Sequence, residues 1–196
     1  MKKLLITGFD PFGGQLVNPS WEAVRCLPEQ IGAWQLTKLQ LPTVFDRAGQ
    51  MLVQAARELG ADAVISVGQA GGRRGITPEV VGINLREARI PDNAGQQPVN
   101  VPVVPSGPEA YFATLPVREM VRAMEAAGLS CSLSYSAGAF VCNDVLYTAL
   151  HAFRGTSVQA GFIHVPFLPE QAGDGVPSMT LEDIVRGLSL AVEALV

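Results

Sequence analysis

The chain has 196 residues, of which 48% are hydrophobic and 16% are charged, and its formal net charge is −4 at pH 7. A chain of this size and composition can bury a proper core, so we expect one globular domain spanning residues 1–196. The net negative charge provides no basic surface for a nucleic-acid backbone, which excludes nucleic acid as an expected partner. High apolar content leaves room for an interface between copies of the chain.

The amino terminus and the cysteines predict the compartment. The apolar run after Met1-Lys2-Lys3 is too short for a secretory signal or a bilayer-spanning helix. Cys26, Cys131 and Cys142 show neither metal-ligand spacing nor a disulfide framework. We therefore expect a cytoplasmic protein with reduced thiols, no membrane association, no metal and no cofactor.

Strands and helices alternate along the chain. In the first third of the chain, the pattern predicts a strand at 3–7, a glycine-rich loop at 8–14, a helix at 21–27 introduced by Asn18-Pro19-Ser20, a strand at 34–41 and a helix at 44–59 ended by Gly60. A strand at 61–67, an extended segment at 80–85 and an irregular segment at 87–108 follow. The last part is predicted to contain a helix at 115–127, a strand at 131–135, a helix from Cys142, a strand at 158–165 and a helix at 180–195. This alternation predicts an α/β fold with a largely parallel sheet.

A glycine-rich loop at 68–75 contains Arg73 and Arg74 and follows a predicted strand. Such a loop is able to cradle phosphate at the start of a helix. The glycine spacing matches neither the dinucleotide fingerprint nor the P-loop, and Pro78 stands where the helix would begin. These features disfavour a phosphate site.

Cys142 follows a run of small residues at 137–139, which permits a sharp passage from strand to helix. A helix that begins near Cys142 places the thiol at the positive end of the helix field, which favours the thiolate, although Asp144 opposes this effect. The alternative is a buried structural cysteine. A nucleophile would also need a base.

The chain has two histidines, and they differ in position. His151 lies about 13 Å from Cys142 along the predicted helix and is expected to be a surface or hydrogen-bonded helix residue. His164 lies near the carboxyl end of a buried strand, where open α/β sheets gather catalytic groups. A cysteine and a histidine brought together by the fold are typical of cysteine hydrolases. The alternative is a histidine that caps a strand end.

A carboxylate would fix the tautomer of the imidazole. Glu79 stands out because it has apolar neighbours, where an unpaired carboxylate is costly. The alternatives for Glu79 are a solvent-facing carboxylate at a strand edge or an ion pair with Arg73, Arg74 or Arg89. Spacing alone does not choose among the candidates, which are Glu79, Asp92, Asp144 and Asp174.

Several ordered and unusual stretches occur together along nearly the whole chain. They are Gly8-Phe9-Asp10-Pro11-Phe12-Gly13-Gly14, Asn18-Pro19-Ser20-Trp21, Gly68-Gln69-Ala70-Gly71-Gly72-Arg73, Ala88-Arg89-Ile90-Pro91-Asp92-Asn93, Ser136-Ala137-Gly138, Phe140-Val141-Cys142-Asn143 and Gly161-Phe162-Ile163-His164-Val165-Pro166. In these stretches the chain resembles the pyroglutamyl peptidases, also called pyrrolidone-carboxylate peptidases, which are cysteine peptidases of the omega type. With this resemblance, the expected fold is a single-domain three-layer α/β/α sandwich around a mixed, largely parallel twisted sheet.

The resemblance implies hydrolysis of the amide bond after an N-terminal pyroglutamate (5-oxoproline), through a thioester intermediate. It implies that Cys142 is the nucleophile, that His164 is the general base and then acid, and that Glu79 orients His164. Arg89 matches the family arginine near the developing oxyanion. The implied partners are peptides with an N-terminal pyroglutamate, and the implied assembly is a homotetramer.

The implied substrate has a neutral five-membered lactam ring, whose recognition requires flat apolar walls and a few polar contacts. Phe9, Phe12 and Phe140 are expected to form the walls. The backbone around Gln69 and at Phe140 and Val141 is expected to supply the polar contacts.

The chain departs from the family pattern beside Glu79, where Val80 replaces the usual lysine or arginine and Gly82 replaces alanine. These positions bear on the placement of the Glu79 carboxylate. Two other functions are open: a non-catalytic relative that binds 5-oxoproline or a peptide, and an enzyme similar to the nucleoside phosphorylases. Neither alternative needs a nucleophilic thiol.

Overall fold

The structure is a computed structural model that describes residues 1–195. The strands are β1 (Lys2–Phe9), β2 (Gln30–Ile31), β3 (Trp34–Leu41), β4 (Ala63–Gln69), β5 (Thr77–Pro78), β6 (Val81–Ile83), β7 (Ala110–Phe112) and β8 (Gln159–Val165). The helices are α1 (Pro19–Cys26), α2 (Arg47–Leu59), α3 (Val117–Ala126), α4 (Val141–Phe153) and α5 (Leu181–Glu193).

Six strands form one sheet in the order β2-β3-β1-β4-β8-β5, and β6 and β7 form a separate antiparallel pair. The four central strands, β3, β1, β4 and β8, are mutually parallel. The edge strands β2 and β5 run antiparallel to their neighbours. The mixed, largely parallel sheet expected from the sequence is therefore confirmed.

Helices cover both faces of this sheet. One hydrophobic core joins the sheet to α1, α3 and α5, and a second joins the opposite face to α2 and α4. Along β1, Leu4 and Ile6 belong to the first core while Leu5 belongs to the second, as the alternation of side chains in a strand requires. Burial on both faces explains why the central strands are almost continuously apolar.

The helix boundaries follow local chemistry that is visible in the sequence. The Asn18 side chain accepts a hydrogen bond from the Ser20 backbone N–H at 3.1 Å, and Pro19 occupies the first turn of α1. Gly60 ends α2 in the left-handed conformation, with φ of 64°. No helix within residues 1–195 is long and apolar enough to cross a membrane.

Two predicted elements differ most from the structure. The segment at 131–135 does not form a full strand but runs beside β5 through single bridges, Ile76 with Cys131 and Glu79 with Ser134. Helix α2 begins at Arg47 rather than at residue 44, because Asp46 has a positive φ of 59° that interrupts the helical backbone.

Candidate active site

Helix α4 carries Cys142 onto the carboxyl end of the sheet. Gly68 on β4 stands in register with His164 on β8, and neighbouring strands lie about 4.8 Å apart. A Cβ atom added to Gly68 would lie 2.9 Å from the Cys142 Sγ atom, so the thiol rests directly over this glycine. The fold thus brings the thiol and the imidazole to adjacent positions.

We expect Gly68→Ala to impair activity through crowding. The new methyl group would lie 2.6 Å from Cζ of Phe162 and 2.9 Å from Sγ of Cys142, so both side chains must shift. A misplacement of about 1 Å costs up to about 100-fold in rate, so kcat/KM for the substrate that the resemblance implies, a pyroglutamyl amide, should fall at least about 10-fold. Gly173→Ala is the matched control because no atom lies within 4 Å of its added Cβ. Equal activity of both variants would contradict this packing argument.

Glu79 links His164 to Arg73. Its side chain is fully buried, and its Oε1 atom lies 2.7 Å from His164 Nδ1 and 2.7 Å from Arg73 Nη1. An ionised carboxylate only accepts hydrogen bonds, so Nδ1 of His164 carries the proton and Nε2 is left as the basic nitrogen. Glu79 Oε2 is buried and has no hydrogen-bond partner among residues 1–195.

The pKa shifts describe a neutral histidine beside an ionised glutamate. Burial raises the pKa of Glu79, but the hydrogen bond from His164, helped by the positive charge of Arg73, outweighs burial and holds it below its ordinary value. Burial lowers the pKa of His164, and the opposing effect of Glu79 does not restore it. The resting imidazole is therefore neutral at neutral pH and able to accept a proton.

The protonation state of Cys142 differs from the sequence-based expectation. Burial raises the pKa of this thiol to about 12, the negative charge of Glu79 adds to the effect, and Arg73 partly opposes it. The helix field was expected to favour the thiolate, but desolvation of the sulfur outweighs it. The resting pair is thus a neutral thiol beside a neutral imidazole, and proton transfer has to accompany attack on the substrate.

This resting state predicts how Cys142 reacts with iodoacetamide. In a Cys26→Ser/Cys131→Ser background, the alkylation rate should rise about tenfold per pH unit from about pH 6 to about pH 9, because the thiolate is a trace species throughout. A stopped assay of residual activity measures the rate at each pH. A rate that levels off near neutrality would instead indicate a preformed thiolate–imidazolium pair.

Two of the other three carboxylate candidates from the sequence have structural roles. Asp92 accepts the Phe45 backbone N–H at 2.9 Å, and Asp144 accepts a hydrogen bond from Arg86 Nε at 2.6 Å. Asp174 is exposed. Glu79 is the candidate that contacts His164.

The second histidine, His151, is not among the residues that surround Cys142 and His164. His151 Nδ1 is 2.9 Å from the Tyr111 hydroxyl, as expected for a hydrogen-bonded helix residue.

A cavity of about 610 Å³ opens over Cys142 and His164. The sequence-predicted residues that line it are Phe12, Gln69, Arg89 and Phe140. The rings of Phe12 and Phe140 lie 6.1 Å apart, centroid to centroid, and provide an apolar wall. Arg89 is exposed at this wall.

Two predicted pocket residues lie behind the cavity. Phe9 is buried and packs on Phe162, with ring centroids 6.1 Å apart, and Phe162 in turn packs on His164. Phe9 therefore supports the imidazole from below instead of lining the cavity. The Val141 side chain is fully buried, which leaves only its backbone for polar contacts.

Arg73 is a site residue whose role the sequence left open. It pairs with Glu79, contacts the Thr77 hydroxyl and donates from Nη2 to the Ser136 backbone carbonyl at 3.0 Å. Arg73 thereby ties the glycine-rich loop to the segment that leads into α4. The sequence feature that could have indicated this ion pair is the separation of only 6 residues between Arg73 and Glu79. Glu87 also lines the cavity, and no sequence signal pointed to it.

The departures at Val80 and Gly82 leave Glu79 in contact with His164. The Glu79 backbone N–H donates to the Phe162 carbonyl at 2.9 Å, and the Val80 N–H donates to Ser134 at 2.8 Å. Backbone pairing on both sides holds the segment in place whatever side chains flank it. Within residues 1–195, no cluster of three or more His, Cys, Asp or Glu side chains is arranged to hold a metal ion.

Comparisons with known proteins agree with this geometry. The model of the family described as "Pyroglutamyl peptidase" matches residues 2–196. A pyrrolidone-carboxylate peptidase of Levilactobacillus brevis is 52% identical over 99% of this chain and 97% of its own length. One from Staphylococcus carnosus is 50% identical over 98% of this chain and 92% of its own length.

Solved structures extend the match to three dimensions. The crystal structure of Bacillus amyloliquefaciens pyroglutamyl peptidase I superposes with a TM-score of 0.96 at 44% identity, covering 100% of this chain and 97% of that one. The pyrrolidone carboxyl peptidase of Thermococcus litoralis gives 0.95 at 38% identity, covering 100% and 93%. With sequence and fold matched from end to end, the chain belongs to the pyroglutamyl peptidase family.

Proposed function

We propose that this chain is a cysteine exopeptidase that hydrolyses the amide bond after an N-terminal pyroglutamate. The observation that carries the proposal is the Glu79–His164 hydrogen bond at 2.7 Å, beside Cys142 in one cavity of a pyroglutamyl peptidase fold. The bond presents Nε2 of a neutral imidazole as a base, next to a thiol that needs one.

Acylation begins when the Cys142 sulfur attacks the carbonyl carbon of the pyroglutamyl residue. The thiol proton passes to His164 Nε2, and the charge of Glu79 stabilises the imidazolium that forms. Arg89 lines the cavity and α4 begins at Val141, so we infer that the Arg89 guanidinium and backbone N–H groups in the first turn of α4 stabilise the oxyanion. His164 then protonates the leaving amine, and the shortened peptide departs.

Deacylation reverses these roles. His164 Nε2 takes a proton from water as the water oxygen attacks the thioester carbonyl. The C–S bond breaks, the sulfur recovers its proton from His164, and 5-oxoproline leaves. Each turnover consumes one water molecule and restores the neutral thiol and imidazole.

The first test measures release of a fluorophore from a pyroglutamyl amide under reducing conditions. Wild type should turn over, and Cys142→Ala should lose essentially all activity because the covalent route is removed. Cys26→Ser is the matched control, since Cys26 is exposed and lies outside the cavity. Wild-type activity in Cys142→Ala would refute the mechanism. A folded, silent wild type that binds 5-oxoproline would favour the non-catalytic alternative.

Assembly and location stay predictions. We propose a homotetramer, on the family resemblance, and a cytoplasmic protein, on its unpaired cysteines. Sedimentation velocity measures the first, and a single species of monomer mass would contradict it.

A further inference from the structure

Gln171 is a polar residue outside the proposed catalytic group that touches a residue of the cavity. It lies in the turn after β8, where the Gln171 backbone N–H donates to the Leu168 carbonyl at 3.0 Å. Its Nε2 atom lies 3.2 Å from Oε1 of Gln69. Gln69 is the last residue of β4 and lines the cavity over Cys142.

A backbone group fixes which way the Gln171 amide points. The Leu168 backbone N–H, which is only a donor, lies 3.1 Å from Gln171 Oε1. Gln171 Nε2 must therefore face the other side, where it donates to the Val17 carbonyl at 3.1 Å and to Gln69 Oε1. The Gln15 Oε1 atom lies 3.5 Å from the same nitrogen. Donor and acceptor are unambiguous along this chain of contacts.

The orientation of Gln171 dictates that of Gln69. Gln69 has to turn its side-chain carbonyl oxygen toward the Gln171 donor. The side-chain NH2 group of Gln69 then makes no hydrogen bond within the part of the protein that the structure describes. This NH2 group has no hydrogen-bond acceptor among residues 1–195. It is not enclosed either, because Glu79 Oε2 is the one buried side-chain polar atom without a partner in that part of the chain. An unused, accessible donor thus belongs to a residue of the cavity wall.

We propose that Gln171 is a positioning residue for substrate specificity: it fixes the polarity of Gln69 so that the cavity offers an N–H donor to the lactam carbonyl. This inference rests on the proposed pyroglutamyl peptidase function and names the group that reads the ring oxygen. The lactam carbonyl accepts hydrogen bonds, so a reversed Gln69 amide would oppose oxygen to oxygen. The lactam is thereby distinguished from a five-membered ring that lacks the carbonyl.

Gln171→Glu tests the proposal at about pH 8, where an ordinary glutamate is ionised. The two carboxylate oxygens have no hydrogen to give to Gln69, so Gln69 must reverse to donate. The probe is 2-pyrrolidinone, the bare lactam ring, used as a competitive inhibitor of pyroglutamyl amide turnover. We expect its inhibition constant and the KM of the substrate to rise at least about tenfold, while kcat stays within about threefold.

Two further variants separate orientation from other effects. Gln15→Glu introduces the same charge on an exposed neighbour of Gln171 and keeps an acceptor there, so it should leave the inhibition constant unchanged. Gln69→Ala removes the residue through which Gln171 acts. Adding Gln171→Glu to Gln69→Ala should therefore change the inhibition constant no further.

The outcomes separate this inference from the proposed function. If wild type turns over but Gln171→Glu keeps the wild-type inhibition constant and KM, Gln171 does not orient the pocket. An equal loss in the Gln69→Ala background overturns the inference as well, because the effect then bypasses Gln69. A wild type without turnover refutes the proposed function, and direct binding of 2-pyrrolidinone then still tests the Gln171 effect.

Discussion

Replacing Glu79 with alanine is expected to lower kcat/KM for a pyroglutamyl amide by about 10³ to 10⁴-fold, the scale on which such carboxylates act in catalytic triads. The alanine removes the acceptor that holds the proton on His164 Nδ1. The imidazole then loses its fixed tautomer and orientation, and its protonated form loses a stabilising charge. It also leaves Arg73 without its carboxylate partner.

Glu79→Gln separates charge from geometry. Its amide oxygen is able to accept from both His164 and Arg73, so the tautomer is retained, and the loss should be smaller, about 10²-fold. The variant should also shift the pH profile. Glu79 raises the pKa of His164 against the effect of burial, so neutralising it lowers that pKa further. Because the base must be unprotonated, the acidic limb of kcat/KM should move to lower pH.

The control for this series is Glu119→Gln, an isosteric change of equal charge in α3 that leaves the cavity untouched. Unfolding curves verify that each variant is folded. Wild-type kcat/KM together with an unshifted acidic limb in Glu79→Gln would exclude Glu79 from the mechanism.

Arg86→Met is expected to give the largest loss of stability. Arg86 holds the first turn of α4 to the loop before α2: its Nε lies 2.6 Å from Asp144 Oδ1, and its Nη2 lies 2.6 Å from Asp46 Oδ1. The Asp144 side chain is fully buried, so removing Arg86 leaves a buried carboxylate supported mainly by the Asp46 backbone N–H. Breaking a buried pair in this way costs about 3–5 kcal/mol of the free energy of unfolding.

The free energy of unfolding that Arg86→Met loses should depend on pH, with a direction that the pKa of Asp144 sets. Burial raises the pKa of Asp144 even with Arg86 present, and loss of Arg86 raises it further. The folded variant then binds a proton more tightly than the unfolded chain, so its stability rises as pH falls through the folded pKa of Asp144. Urea unfolding at about pH 5 and about pH 8 should show a smaller deficit, relative to wild type, at the lower pH.

A double variant tests the cause. Arg86→Met/Asp144→Asn removes the buried charge but keeps an acceptor for the Asp46 N–H, and it should recover most of the lost stability. Equal deficits in the single and double variants would show that packing of Arg86, including its contact with the Phe45 ring at 5.9 Å, matters more than charge.

The sequence by itself determined the features that depend on short stretches of chain. The start of α1 at Asn18-Pro19-Ser20 and the end of α2 at Gly60 follow from local backbone chemistry, and the sequence predicted both of these stretches as helix boundaries. The family was also recognisable, because its ordered motifs lie along the chain. The same patterns placed Cys142 at the start of a helix and His164 near the end of a strand.

Only the tertiary structure decided how distant side chains meet. Glu79 and His164 are 85 residues apart, and the antiparallel pairing of β5 with β8 brings their segments together. Spacing along the chain does not encode this register and left four carboxylates open, although the apolar neighbours of Glu79 and the family resemblance favoured Glu79. The raised pKa of Cys142 likewise depends on desolvation of this partly buried thiol by segments far away in sequence, which outweighs the local helix field. The orientation of the Gln69 side-chain amide also depends on tertiary structure, because Gln171, which is 102 positions away, sets it.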